Sequence, residues 1–165
     1  MTRWIENVSW DDCKNGWHTD MGENSMLIQI ADPATFFPAP MKAFKEVHQF
    51  EFLDVEEKDP FPEDCKCSPE VAARLVELLQ HALDNSMNVL VHCHAGICRS
   101  GAVVEVGEIM GFTPTDRFRA PNLLVKHRMM KALGLTYDSE EKPYDKGGSV
   151  SAYGILIPFR GVDSE

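Results

Sequence analysis

One short run of this chain carries most of its chemistry: His92-Cys93-His94-Ala95-Gly96-Ile97-Cys98-Arg99-Ser100-Gly101. Cys93 offers a sulfur nucleophile, reactive as its thiolate. Arg99 offers a planar fork that can hold two oxygens of one phosphoryl group, which a lysine ammonium cannot do. The Ser100 hydroxyl can donate to the cysteine sulfur and help it depart. Gly96 permits the backbone angles of a tight loop. The main-chain N–H groups of His94, Ala95, Gly96, Ile97 and Cys98, with the Arg99 side chain, form the expected substrate-binding set, a concave nest for a tetrahedral dianion. Such a set suits displacement at phosphorus through a covalent intermediate on sulfur. A lone cysteine after a strand is usually a small buried hydrophobe. The offsets of Cys, Gly, Arg and Ser in this run are what argue for more.

Those offsets need a strand before them and a helix after them. Asn88–His92 (NVLVH) reads as a buried central strand, expected to be parallel. Ala102–Met110 is apolar nearly all round and reads as a buried helix. Upstream, Met26–Ile30 (MLIQI) reads as a buried strand, and Asp32–Pro40, with its three prolines, as a loop. The residues of Met41–His48 suit a short helix, and Gln49–Leu53 (QFEFL) alternates as a strand does. Asp54–Ser68 is a long acidic loop, of a length that usually serves function. Ser68-Pro69 then supplies a cap and a first-position proline for a helix over Pro69–Asp84. Pro121–Leu133 is read as a further helix, ended by Gly134. Residues 1–25 read as a polar, irregular arm, with Trp4, Trp10 and Trp17 pinning it to the core. Asp138–Ser149 reads as a polar loop and Val150–Phe159 as a closing strand or ordered tail. The whole chain, 1–165, reads as a single α/β domain: a mostly parallel central sheet flanked by helices, with a C-terminal extension over 135–165.

The run H-C-x-x-G-x-x-R-S directly after V-L-V-H resembles the signature loop of the protein tyrosine phosphatase superfamily. The stretch from about Met26 to Leu133 resembles its compact dual-specificity-type members, especially those of bacteria and phages. The resemblance implies a phosphatase that forms a phosphocysteine and then hydrolyses it, with no cofactor. It also implies a general acid: an aspartate on a mobile loop after the strand preceding the signature loop. Asp54, at the end of QFEFL, stands where such members carry it. Asp59 is nearer Cys93 in sequence but deeper in the loop, and Asp64 is a third choice. The implied substrates are phosphotyrosine, and with it phosphoserine or phosphothreonine, on proteins, or small phosphate monoesters.

Other residues admit plainer readings. Cys98, or the pair Cys65 and Cys67, could close a reversible disulfide with Cys93; ordinary reduced thiols are the plainer expectation. His92, Cys93 and His94 with Cys65 and Cys67 have poor spacing for zinc, and no metal is expected. The His92 ring is expected to brace the loop, and His94 to point outward. Asn122, after Pro121, is expected to cap a helix or brace a loop. Arg117, Arg119, Lys126 and Arg128 could steer phosphorylated substrates, but a solvated helix face is the plainer reading.

Composition sets the outer bounds. The chain has 165 residues, 44% hydrophobic and 25% charged, with 26 acidic residues against 16 basic ones for a net charge of −10. That balance disfavours nucleic acid and anionic membranes as partners, since neither gains from counterion release. It also counts against an RNA 5′-phosphatase on the same scaffold. The loop HAGIC lacks the lysines that inositol phosphates favour. Five cysteines, an odd number, do not suggest a secreted disulfide framework. Without an apolar leader or a membrane-length apolar run, a cytoplasmic location is expected. A non-catalytic phosphopeptide-binding module is the competing class.

Overall fold

The structure, a computed structural model, describes residues 2–135. Strands β1 (Trp4–Val8), β2 (Ser25–Ala31), β3 (Glu46–Glu51), β4 (Asn88–His92) and the short β5 (Thr113–Pro114) pair in the order β3-β2-β4-β1-β5. Every pairing is parallel. Among the described residues four α-helices accompany them: α1 (Trp10–Asn15), α2 (Pro69–Asp84), α3 (Arg99–Met110) and α4 (Leu123–Ala132). The described residues thus form an α/β domain with a parallel sheet flanked by helices, as the strand and helix patterns predict.

The sheet sorts its side chains by the period of two that every strand imposes. Ile5, Met26, Ile28, Val89 and Val91 face one way and pack with Leu75, Leu79, Val103, Val106, Val125 and Met129 of α2, α3 and α4. Val8, Leu27 and Leu90 face the other way and meet Cys13 of α1, Met21 and Phe44. β4 has β2 on one side and β1 on the other, so both its faces and both its edges are covered. That coverage explains its continuous apolar run. α2 begins as expected, with the Ser68 hydroxyl accepting from the Val71 N–H at 3.1 Å and Pro69 in the first turn.

Two sequence readings need correction. Residues 1–25 are not an irregular arm: Trp4–Val8 is a strand inside the sheet, paired to β4 from Ile5↔Val89 to Val8↔His92. Glu6 and Asn7 hid it, because they are buried polar residues and break the expected apolar pattern. Trp4 and Trp17 are exposed and pin nothing to the core, while Trp10 is half-buried at the start of α1. Met41–His48 is not a helix. Glu46–Glu51 adds to β2 as an edge strand in register Met26↔Glu46 to Ala31↔Glu51. Pairing along β2 outweighs the modest helix propensity of that stretch. The helix read over Pro121–Leu133 is Leu123–Ala132, capped by Asn122. The readings for Asp138–Ser149 and Val150–Phe159, and all but the first residue of the 135–165 extension, lie outside the described residues.

Because the strands are parallel, their carboxyl ends lie along one edge of the sheet, where open α/β sheets bind ligands. Val8, Ala31, Glu51 and His92 end their strands there. The loops that follow deliver Trp10, Asp32, Asp54 and Cys93 to that edge. The segment after β5, residues 115–122, returns to the same edge.

Candidate active site

Cys93 leaves β4 directly and is 2% exposed, so it lies at the floor of its loop. Its sulfur stands 3.2 Å from the Ser100 hydroxyl and accepts from the Gly96 N–H at 3.3 Å. The loop curls back over its own first residue, and Gly96 makes this possible with φ +76°. A Cβ at Gly96 would stand 2.3 Å from the carbonyl carbon of Val8, so no other residue fits. The Gly96 carbonyl accepts from Asn7 Nδ2 at 2.7 Å, and the same nitrogen reaches the Phe118 carbonyl at 3.0 Å. The buried polar residue that disguised β1 therefore ties the loop to the sheet. On the loop's outer side, the His94 carbonyl accepts from the Trp10 N–H at 3.0 Å. The His94 and Ala95 side chains are exposed; Ile97 and Cys98 are half-buried.

α3 starts at Arg99 without a side-chain cap from Cys98 and without an acidic residue in its first turn. α1, α2 and α4 are each capped, by Ser9, Ser68 and Asn122. The positive end of α3 is thus left for an anion. Arg99 is buried at the same place. Its Nη1 donates to Asp32 Oδ1 at 2.8 Å and to the Phe52 carbonyl at 2.7 Å. Its Nε is buried and has no acceptor among the described residues. One edge of the guanidinium is therefore tied to protein and the Nε side is not.

His92 braces the loop as expected: Nδ1 lies 3.3 Å from the Cys93 carbonyl. The Nδ1–H tautomer makes that bond. Burial pushes the ring down to about 4, keeping it neutral, with Arg99's charge acting in the same direction.

The structure separates the three acid candidates. Asp54 lies near the loop: its charge acts on the Cys98 thiol, and its Oδ1 accepts from Asn122 Nδ2 at 2.8 Å. Asp59 is turned into its own loop, where Oδ2 accepts from the Glu56 N–H at 2.7 Å. Asp64 is exposed in a 3-10 turn over Glu63–Cys65. Burial, then the charges of Asp54 and Cys93, raise the Cys98 thiol's pKa. Asn122 does double duty: its Oδ1 caps α4 through the Val125 N–H at 3.0 Å, and its Nδ2 also reaches the Val55 carbonyl at 3.1 Å. Glu56 adds two bonds to the same helix end, accepting from the Leu123 and Leu124 N–H groups at 2.9 Å each. Burial raises the Glu56 carboxyl, partly offset by those two bonds. The acid loop is thereby fastened to α4.

The basic group is neither a solvated face nor a free steering patch. Arg117 pairs with Glu6 and Asp12, Arg119 with Glu105 and Glu108, Lys126 with Glu105, and Arg128 with Glu63. All five cysteines are free thiols. Burial pushes Cys13 up to about 11 and Cys67 up to about 12, as for inert core thiols. Among the described residues, no group of three His, Cys, Asp or Glu is placed to hold a metal, and no helix is long and apolar enough to cross a membrane. Sequence reasoning missed Asn7, Asp32 and Glu56. All three act across long sequence separations, and no local motif marks them.

No family model and no curated protein matches the chain. Among solved structures it is similar to human tyrosine phosphatase-like serine/threonine/tyrosine-interacting protein, at 19% identity and a TM-score of 0.45, over 67% of this chain and 76% of that one.

Proposed function

We propose that this chain is a cysteine-dependent phosphatase of the protein tyrosine phosphatase superfamily, hydrolysing phosphate monoesters through a phosphocysteine. The observation that carries this reading is the pairing of a loop-bound sulfur, Cys93, with a buried guanidinium whose Nε has no acceptor among the described residues. In this reading the loop amides, of which the Gly96 N–H already reaches the sulfur, neutralise the equatorial oxygens of a transferring phosphoryl group together with the uncapped end of α3 and Arg99. The Cys93 thiolate attacks phosphorus. The ester oxygen leaves with a proton from Asp54, which becomes a carboxylate. Water then attacks the phosphocysteine and gives its proton to Asp54. The sulfur departs as a thiolate, helped by a hydrogen bond from Ser100.

The substrates of this reading are phosphotyrosine, and the chemically similar phosphoserine and phosphothreonine, on proteins, along with small aryl phosphates. Asp32, Asp54 and Glu56 surround the loop with carboxylates, which disfavours inositol polyphosphates and RNA 5′-ends. Free thiols throughout suit a cytosolic enzyme. The test is turnover of para-nitrophenyl phosphate. The wild type should hydrolyse it, and Cys93→Ser should bind phosphate or vanadate without turnover. Hydrolysis by Cys93→Ser would refute the covalent route. Phosphate binding by an inert wild type would favour a phosphopeptide-binding module instead.

A further inference from the structure

Arg99 can clamp an anion only if its guanidinium is held at the right rotation, and the residue that holds it belongs to no part of the signature run. Asp32 follows β2, which lies beside β4, so it arrives next to the loop after β4. Its Oδ1 accepts from Arg99 Nη1 at 2.8 Å. The Arg99 side chain is 5% exposed and that of Asp32 is 53% exposed. A buried guanidinium without a charge partner is costly, whereas a half-exposed carboxylate keeps much of its hydration. The Phe52 carbonyl takes a second bond from the same nitrogen at 2.7 Å. Two acceptors reaching one nitrogen from two different loops fix the plane of the fork.

We infer that Asp32 is a positioning residue for Arg99, holding Nη1 so that the Nε edge faces the substrate's phosphoryl oxygens. This rests on the phosphatase reading above. Asp32 touches neither sulfur nor substrate; it acts through the arginine. The role is geometric, so an uncharged acceptor of the same shape should largely preserve it. Asparagine keeps an oxygen where Oδ1 stands, and alanine does not.

The experiment is a cycle on the full chain with wild type, Asp32→Ala, Asp32→Asn, Arg99→Ala and the Asp32→Ala/Arg99→Ala pair. It reads kcat/KM for para-nitrophenyl phosphate and, by calorimetry, the affinity for inorganic phosphate. Asp32→Ala should lower both by about ten- to hundredfold, the scale of a misplaced clamp. Asp32→Asn should recover most of that loss. In the Arg99→Ala background, removing Asp32 should change neither quantity further. An unchanged Asp32→Ala protein overturns the proposal, as does an equal loss with and without Arg99. Tighter phosphate binding in both Asp32 variants would overturn it too, since Asp32 would then act by repulsion. If the wild type shows no turnover, the phosphatase reading fails, and the phosphate affinities alone decide the role of Asp32.

Discussion

Asn122 Nδ2 donates to Asp54 Oδ1 at 2.8 Å, so the residue that caps α4 also aims the carboxyl proposed to protonate the leaving group. Asp54→Ala should slow hydrolysis of aryl phosphates with poor leaving groups by about 10²–10³-fold and leave activated esters much less affected. Asn122→Ala should shift rates in the same direction by about tenfold, through lost orientation. The check is the slope of log rate against leaving-group pKa. Asp59→Ala should leave that slope alone, because its carboxylate is engaged with the Glu56 N–H. A steeper slope for Asp59→Ala would move the acid role to Asp59.

Gly96→Ala should abolish turnover and phosphate binding together. The added Cβ meets the Val8 backbone at 2.3 Å, and the residue holds φ +76°. Strain of that kind costs roughly 1–3 kcal/mol before the clash is counted. Thermal unfolding and phosphate calorimetry on the variant provide the measurement; full affinity would contradict the geometry of the loop.

Ser100→Ala should divide the two chemical steps. The Ser100 hydroxyl lies 3.2 Å from the Cys93 sulfur and is buried with it. Its loss should slow sulfur departure more than sulfur attack, so phosphocysteine should accumulate. Rapid mixing with para-nitrophenyl phosphate should show a burst of nitrophenolate followed by a slow steady state, and mass spectrometry of the quenched protein should show the adduct. A uniform slowing with no burst would assign Ser100 to the first step or to structure alone.

Asn7→Ala should loosen the loop from the sheet. The side chain is buried and bonds the Gly96 and Phe118 carbonyls. Leaving those carbonyls unmatched should cost about 1–3 kcal/mol of stability. The same change should weaken phosphate affinity. Urea unfolding with phosphate titration tests both, and a loss of stability without a loss of affinity would confine Asn7 to the fold.

His92 gives the folded state a pH dependence with a definite sign. Burial lowers its pKa from 6.5 to about 4. Across that interval the unfolded chain binds a proton that the folded protein refuses, so stability falls as pH drops from 6.5 toward 4. The loss from this group is on the order of 3 kcal/mol, and above that interval the contribution is flat. Urea unfolding of wild type and His92→Gln, compared pH by pH, should show the difference shrinking as the solution is acidified. A constant difference would mean that the ring is not buried neutral.

The strand, loop and helix around Cys93 were legible because the signals for them are local. Cys93, Gly96, Arg99 and Ser100 are neighbours in sequence, and the apolar runs of β4 and α3 announce the strand and helix that flank them. The cap of α2 was legible for the same reason, since Ser68 and Pro69 act within one turn. β1 was not, because Glu6 and Asn7 are buried for their partners: Thr19 and Arg117 for Glu6, Gly96 and Phe118 for Asn7. β3 was only half legible, because an edge strand is defined by the neighbour it pairs with. Asp32 and Glu56 acquire their roles from residues far along the chain, and so does Asn122 in its bond to Asp54, although its cap of α4 was legible. A parallel sheet gathers the carboxyl ends of its strands onto one edge, and only that folding step brings Asp32 to Arg99 and Asp54 to Asn122. Residue types and short spacings therefore determine the loop and the elements that flank it, while the long-range order of the strands decides which carboxylates lie beside it.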